Sequence, residues 1–194
     1  MKKIFTSSFA TVVCIAFVMG QAFAGPPVYF KSPIKFRGTG CPQGTYTVSG
    51  ENTDTITIMF GQYDAAKPPR NAASGMFRTS CNFVVPVSVP SGYQLANITA
   101  NWRGYAEGKT KLHREYFFAN QRGPSINSRP TGDYTLQDNL MHNIWWSCNR
   151  GDVPMRINSS IRAQGNPSYI VMDQMDIKQQ DGGVTFRLKW RKCR

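Results

Sequence analysis

Acidic residues are scarce in this chain, and histidines are scarcer still. Its 194 residues include 11 Asp and Glu against 23 Lys and Arg, and only 2 His. No Cys-x-x-Cys occurs, and neither His113 nor His142 has ligand-like spacing to a cysteine. The sequence therefore predicts no metal site and no cofactor.

The common catalytic signatures are missing as well. There is no Gly-x-Ser-x-Gly, no His-Glu-x-x-His and no phosphate-cradling glycine loop. Asp173 with Asp176, or Glu51 with Asp54, would give carboxylate pairs of the kind that glycosidases use. Such pairs arise by chance among 11 acids, so we assign no catalytic residue.

A long stretch near the start of the chain carries no charge. No charged residue lies between Lys3 and Lys31, in a stretch that is largely apolar and contains the small-x-small sequence Ala22-Phe23-Ala24. A basic start, an apolar run and such a site are typical of a cleavable signal peptide, and the run is shorter than the ~20 apolar residues of a membrane span. We predict a signal peptide over residues 1–24, a mature domain over residues 25–194, and no transmembrane segment after cleavage.

Export determines how the cysteines are interpreted. The mature chain would keep four of them: Cys41, Cys81, Cys148 and Cys193. An even count in an exported chain indicates two disulfides, for which three pairings exist. We predict Cys41–Cys81 and Cys148–Cys193, because these partners are nearest in sequence and flank predicted strands. Each bridge would close a loop of roughly 40 residues and contribute about 3–4 kcal/mol in the chain-entropy model.

Helix signals are few, and alternation of apolar and polar residues with period two dominates the mature chain. The alternating sets are Ile56, Ile58, Phe60; Phe83, Val85, Val87, Val89; Ile98, Ala100, Trp102; Leu112, Tyr116, Phe118; Val153, Met155, Ile157, Ile161; Tyr169, Val171, Met175, Ile177; and Val184, Phe186, Leu188, Trp190. Turn residues separate them, which is typical of an antiparallel sandwich. The sequence predicts an all-β fold, a single antiparallel β-sandwich (immunoglobulin-like or jelly-roll-like) with two disulfides and one short helical turn near Asp133–His142.

Individual residues refine this prediction. The pattern changes phase after Leu95, which predicts a bulge near Asn97. Pro86 predicts that its strand is an edge or carries a bulge. Arg114 interrupts an apolar set and is a poor core residue. Arg103-Gly104 is interpreted as a turn.

Four short motifs carry a resemblance to a known family. They are Gly40-Cys41-Pro42, Arg78-x-x-Cys81, Arg103-Gly104-Tyr105-Ala106 and Trp190-x-x-Cys193. In this order they are similar to a family of secreted cysteine-bearing domains from fungi and bacteria that is known as a domain of unknown function. The resemblance implies an exported all-β domain with two disulfides, and it brings no activity and no catalytic residues.

Two aromatic segments are candidates for recognition. In Trp102-Arg103-Gly104-Tyr105, an aromatic ring would stack on a sugar while the arginine grips an anion. The alternative is that Trp102 ends a core strand and Tyr105 packs beneath a turn. Trp145 precedes a second tryptophan, and because adjacent strand residues face opposite ways, one of the two is expected to be exposed.

The last strand separates charge from apolar surface. Arg187, Lys189 and Arg191 alternate with apolar residues and would form a row about 6.6 Å apart. Such a row suits a series of anionic groups. Cations also protect an exposed sheet edge from aggregation, and the sequence leaves both roles open.

The charge balance sets the functional hypothesis. The formal net charge is +12, and loss of Lys2 and Lys3 with the signal would leave about +10. We expect a secreted or periplasmic, non-catalytic binding or structural protein that contacts an anionic polysaccharide, another cell-surface component or a protein partner. Specific nucleic-acid binding ranks lower. The alternatives are a hydrolase of cell-wall or host polymers, and an inhibitor of a secreted or host protein acting through an exposed loop at Gly123–Gly132. The binding candidates are Trp102, Arg103, Tyr105, Trp145, Arg187, Lys189 and Arg191.

Overall fold

The computed structural model describes residues 27–119, 121–140, 148, 151–172 and 183–193. The predicted signal peptide, Trp145 and the acidic pair Asp173 and Asp176 lie outside the described residues. The strands are β1 (Tyr29–Phe30), β2 (Lys35–Arg37), β3 (Tyr46–Ser49), β4 (Thr55–Phe60), β5 (Asp64–Lys67), β6 (Arg78–Ser88), β7 (Tyr93–Glu107), β8 (Thr110–Phe118), β9 (Gln121–Ser128), β10 (Gly132–Asn139), β11 (Val153–Ala163), β12 (Ser168–Val171) and β13 (Gly183–Lys192).

These strands form two antiparallel sheets. The six-stranded sheet has the order β1-β6-β11-β8-β9, with β2 also paired to β6. The seven-stranded sheet has the order β3-β4-β13-β7-β12-β5, with β10 on the other side of β7. The predicted antiparallel β-sandwich is confirmed. In the described part of the chain, no helix has the length and apolar character needed to span a bilayer.

The core lies between the two sheets, where the alternating apolar sets meet. Phe83 of β6 packs edge-on against Phe186 of β13, with ring centroids 6.0 Å apart. Its ring is tilted against that of Phe60 of β4, at a centroid distance of 6.4 Å. All three rings are buried. Because side chains on a strand alternate between faces, the period-two pattern of the sequence buries one face of each sheet in this shared layer.

The predicted bulge is confirmed by the pairing of β7 with β13. Lys189 is opposite Asn97, but the next residue, Trp190, is opposite Leu95. Ala96 is therefore the additional residue on β7, and it restores Leu95 to the buried face. The pattern placed Trp190 on the buried face, but it is 37% exposed. Its ring packs edge-on against that of Tyr93, with centroids 5.6 Å apart.

The prediction that Pro86 marks an edge strand is wrong. β6 lies inside the six-stranded sheet, with β1 and β2 on one side and β11 on the other. The carbonyl of Pro86 accepts a hydrogen bond from the amide of Lys31, between β1 and β2. In an antiparallel strand the backbone N and O of one residue point to the same side. The position where Pro86 lacks an N–H therefore faces the gap between β1 and β2, and no hydrogen bond to β11 is lost.

The predicted helical turn near Asp133–His142 is also wrong in its described part, and residues 141–142 lie outside the described residues. Gly132–Asn139 is a strand that pairs with β7 over its whole length. Its inward residues are Tyr134, Leu136 and Asp138. The buried aspartate conceals the alternation of polar and apolar residues, because an acid does not mark a core position in a sequence. The neighbouring stretch Gly123–Gly132, expected as an exposed loop, is mostly occupied by the edge strand β9.

Both predicted disulfides are confirmed. The Cα atoms of Cys41 and Cys81 are 5.4 Å apart, and those of Cys148 and Cys193 are 5.9 Å apart. The first bridge is buried beside Gly40, where a Cβ would lie 2.2 Å from the ring of Tyr63. Gly40 thus makes space for an aromatic ring beside the disulfide.

A buried ion pair joins the two sheets. Arg114 of β8 is 1% exposed, and its Nε and Nη2 donate to the carboxylate of Asp138 of β10 at 2.6 and 3.0 Å. Tyr116 donates to the same carboxylate at 2.5 Å, and the Nε1 of Trp102 donates to the Tyr116 hydroxyl at 2.6 Å. Arg114 was expected to be a poor core residue, but the carboxylate of Asp138 gives its buried charge a counter-charge.

Replacing Asp138 with Leu should strongly destabilise the fold. The substitution leaves the Arg114 guanidinium buried without its counter-charge, and we expect a loss of about 3–5 kcal/mol in the free energy of unfolding, measured with urea. The double variant R114M/D138L should recover most of this loss. The pair of partly exposed Glu115 and exposed Arg122 is a control, because E115Q should cost less than about 1 kcal/mol. Equal effects of D138L and E115Q would contradict this interpretation.

Three buried tyrosines make the fold sensitive to alkali. Burial raises the pKa of Tyr63, Tyr116 and Tyr134 above the usual value of about 10. Above this pH the unfolded chain releases protons that the folded chain retains, so stability falls as pH rises.

Each buried tyrosine should remove about 1.4 kcal/mol of stability per pH unit above 10. Tyrosinate absorbance should show that the three buried tyrosines ionise only together with loss of the β-sheet circular dichroism signal. Ionisation of all 8 tyrosines near pH 10, with the sheets intact, would contradict this assignment.

Candidate functional site

Three cations lie in one row across the outer face of the six-stranded sheet. Arg162 of β11 is in register with Arg78 of β6 on one side and with Lys111 of β8 on the other. The residues that flank them along each strand within the sheet are buried, so the three cations face outward. Side chains directly opposite each other in an antiparallel pair are roughly 5 Å apart at Cβ.

The row of cations forms one wall of a pocket of about 320 Å³. Ser160, His113 and Asn127 complete the lining, and register places them in the next row of the same sheet. The Nδ1 of His113 lies 3.1 Å from the Oδ1 of Asn127, so an Nδ1–H donates to the amide oxygen there. This pocket is lined by charged, hydroxyl, imidazole and amide groups.

A second pocket of about 410 Å³ lies beside the first, and Arg162 lines both. Its other lining residues are Lys67, Pro69, Phe77, Lys109, Ala163 and Gln164. The Phe77 ring is 49% exposed, and the guanidinium carbon of Arg162 lies 5.8 Å from its centroid. The second pocket therefore combines cations with an exposed aromatic surface.

Backbone hydrogen bonds hold this end of the sandwich together. The amide of Ala163 donates to the carbonyl of Phe77 at 2.9 Å, and the amide of Gln164 donates to the carbonyl of Lys109 at 2.8 Å. The end of β11 thereby fixes both the segment before β6 and the turn before β8. We call the combined surface the basic groove and define it by Arg78, Lys111, Arg162, Lys67, Lys109, His113 and Phe77.

The electrostatics of the basic groove are one-sided. None of its described lining residues is Asp or Glu, and none of the ion pairs found in the described part of the chain involves Arg78, Lys111 or Arg162. Like charges directly opposite each other in a sheet are destabilising. An arginine fork in such a setting is suited to a carboxylate, sulfate or phosphate, which it binds through two parallel hydrogen bonds. No cluster of three or more His, Cys, Asp or Glu able to hold a metal occurs among the described residues.

The described binding candidates that the sequence predicted lie outside the basic groove. Trp102 is fully buried. Of its two interpretations, the core position is therefore the correct one, and its ring does not contribute to the surface. Arg103 and Tyr105 are exposed on the outer face of β7, where Tyr105 is 40% accessible. The predicted turn at Gly104 is wrong, because β7 runs straight through it. A Cβ there would lie 2.1 Å from the carbonyl oxygen of Val171.

The cations of the last strand also lie on the seven-stranded sheet. Arg187 and Lys189 are exposed on the outer face of β13, in register with Thr99 and Asn97. Arg191 lies beside Gln94, whose amide oxygen, when turned toward it, accepts from Nη2 at 3.0 Å. The structure thus places these residues on the opposite sheet from the row formed by Arg78, Arg162 and Lys111.

Sequence patterns did not single out the basic groove. Each of its cations is an ordinary outward residue on its own strand, and only the register of β6, β11 and β8 brings Arg78, Arg162 and Lys111 together. A usable signal existed in Arg78, which the family motif contains, but not in the other two.

The sandwich and its two disulfides define an exported all-β domain. The chain belongs to the family described as "Domain of unknown function (DUF4360)", whose model matches residues 32–193. A relative named "Uncharacterized secreted protein", from Arthroderma benhamiae, is 28% identical over 176 residues, which cover 82% of this chain and 70% of the relative. The family resemblance is confirmed, and the protein is secreted or periplasmic, in agreement with its disulfides.

Solved structures with partial likeness include two that cover most of this chain. TmCBM61 in complex with β-1,4-galactotriose is 11% identical and matches over 83% of this chain and 89% of its own, with a TM-score of 0.36. The enzymatically active domain of bacteriophage CBA120 tailspike protein 4 is 13% identical over 80% of this chain and 19% of its own, with a TM-score of 0.30. At such low TM-scores neither likeness supports a conclusion about this chain.

Neutralising a groove cation should stabilise the fold at low salt. K111Q relieves repulsion from Arg162, and we expect the free energy of unfolding to rise by about 0.2–1 kcal/mol. The gain should vanish at high salt, where exposed charges are screened. K189Q on β13 is the matched control, since Lys189 is in register with Asn97 and should show a smaller change. If K111Q lowers the free energy of unfolding, or changes it by the same amount as K189Q does, the proposed repulsion in the groove is contradicted.

Proposed function

We propose that this protein is an exported, non-catalytic binding protein whose basic groove holds anionic groups of a cell-surface glycan. The observation that supports it best is the row formed by Arg78, Arg162 and Lys111, in which register sets three like charges side by side without an acid in the lining. A sheet surface selected only for solubility would intersperse both signs. Local destabilisation of this kind is typical of functional sites.

The concave shape adds to the argument from charge. The three cations line the same pocket, so that an anion placed there would contact several of them at once and would be partly withdrawn from water. Electrostatic attraction is stronger in such a place than on an open surface. The cations Arg187 and Lys189, by contrast, extend along the outer face of a single strand.

The location of the protein selects the class of polymer. For an exported protein we rank the carboxylate, sulfate and phosphate groups of surface glycans above nucleic acid. The predicted signal peptide over residues 1–24 belongs to the same proposal, because it accounts for delivery to this compartment.

The triple variant R78Q/K111Q/R162Q should lose binding to a sulfated polysaccharide. With heparin as the probe and isothermal calorimetry at ~0.15 M salt, we expect at least about tenfold weaker binding, equivalent to 1.4 kcal/mol or more. The salt dependence of the residual affinity should also become shallower, because fewer charge contacts remain.

R187Q/K189Q/R191Q is the matched control, with the same loss of three charges on the opposite sheet. Its affinity should stay within about twofold of the parent protein. If this variant loses binding as much as the groove variant, attraction is set by net charge alone and the proposed site is wrong. If only the control loses binding, the site lies on β13, as the sequence pattern suggested.

A further inference from the structure

The two pockets of the basic groove differ in chemistry. The first presents Arg78, Lys111 and Arg162 with polar side chains and suits a compact anion. The second places two lysines beside the exposed ring of Phe77 and the ring of Pro69. A ligand that matched both would carry a charge at one position and a ring with an apolar face at the next.

We propose that this ligand is a polyuronate, a glycan whose successive sugars each carry a carboxylate. This inference rests on the proposed function of the basic groove and specifies its ligand. One carboxylate binds in the first pocket, and the next sugar packs its C–H face on Phe77 in the second pocket with its own carboxylate near Lys67 or Lys109. Arg162 lines both pockets. In this arrangement it contacts the glycan at the linkage between the two sugars.

The polar residues of the groove favour a sugar over a nucleotide. Ser160 and Asn127 line the first pocket and Gln164 the second, and their hydroxyl and amide groups are suited to donate to and accept from ring hydroxyls. Arg162 keeps its guanidinium 5.8 Å from the centroid of Phe77, so a charge stays beside the stacking surface. A uronate, which joins a carboxylate to a hydroxylated ring, satisfies both features in one repeating unit.

The test compares ligands of different length against two variants. Binding of galacturonate monomer, dimer and tetramer would be measured by calorimetry for the parent protein, F77L and R78Q, with inorganic sulfate as a competitor. Phe77 is exposed, so F77L retains apolar volume while removing the flat ring, and folding is verified by circular dichroism. Tetrathymidylate, a single-stranded nucleic acid of the same length, is measured in parallel.

We expect the tetramer to bind at least about tenfold more tightly than the monomer. F77L should weaken tetramer binding by about fivefold or more and sulfate binding much less, whereas R78Q should weaken both. Tetrathymidylate should bind more weakly than the tetramer of galacturonate.

Two results would overturn the polyuronate assignment and leave the anion site in place. In one, sulfate and heparin bind in an Arg78-dependent manner, but monomer and tetramer bind alike and F77L has no effect. In the other, tetrathymidylate binds more tightly and depends on Phe77, so that the stacked group is a base. If neither sulfate, heparin nor any uronate binds, the proposed function fails together with this inference.

Discussion

The buried ion pair between Arg114 and Asp138 is the constraint on which the groove side of the sandwich depends. It links β8 in one sheet to β10 in the other, and it is satisfied only if both residues face inward. A one-residue slip of a strand exchanges its two faces. The inward position of Arg114 therefore holds Lys111 and His113 on the outer face, where they line the basic groove.

The buried disulfide Cys41–Cys81 acts in the same way on the neighbouring strand β6. Cys81 faces the core, and Arg78, three residues before it, consequently faces outward. The position of Arg162 beside Arg78 and Lys111 follows from the pairing of β11 with both β6 and β8. The outward row of cations is thus set by the inward residues of the strands that carry it.

The fold could be predicted from the sequence because the signal peptide, the number of cysteines and the period-two alternation can each be read directly along the chain. The bulge beside Asn97 was visible as a change of phase, and both disulfides followed from nearest spacing. Prediction from the sequence failed where a polar residue occupies a core position, as Asp138 does. It also failed at the site, because Arg78, Arg162 and Lys111 are separated along the chain and only strand register brings them together.

The most direct test of the account is to map the bound surface by amide chemical shifts while an acidic oligosaccharide is titrated into the isotope-labelled protein. The account predicts the largest shifts at the start of β6, the start of β8 and the end of β11, together with Phe77 and the turn at Lys109. Largest shifts along β13, around Arg187 and Lys189, with the basic groove unperturbed, would contradict it.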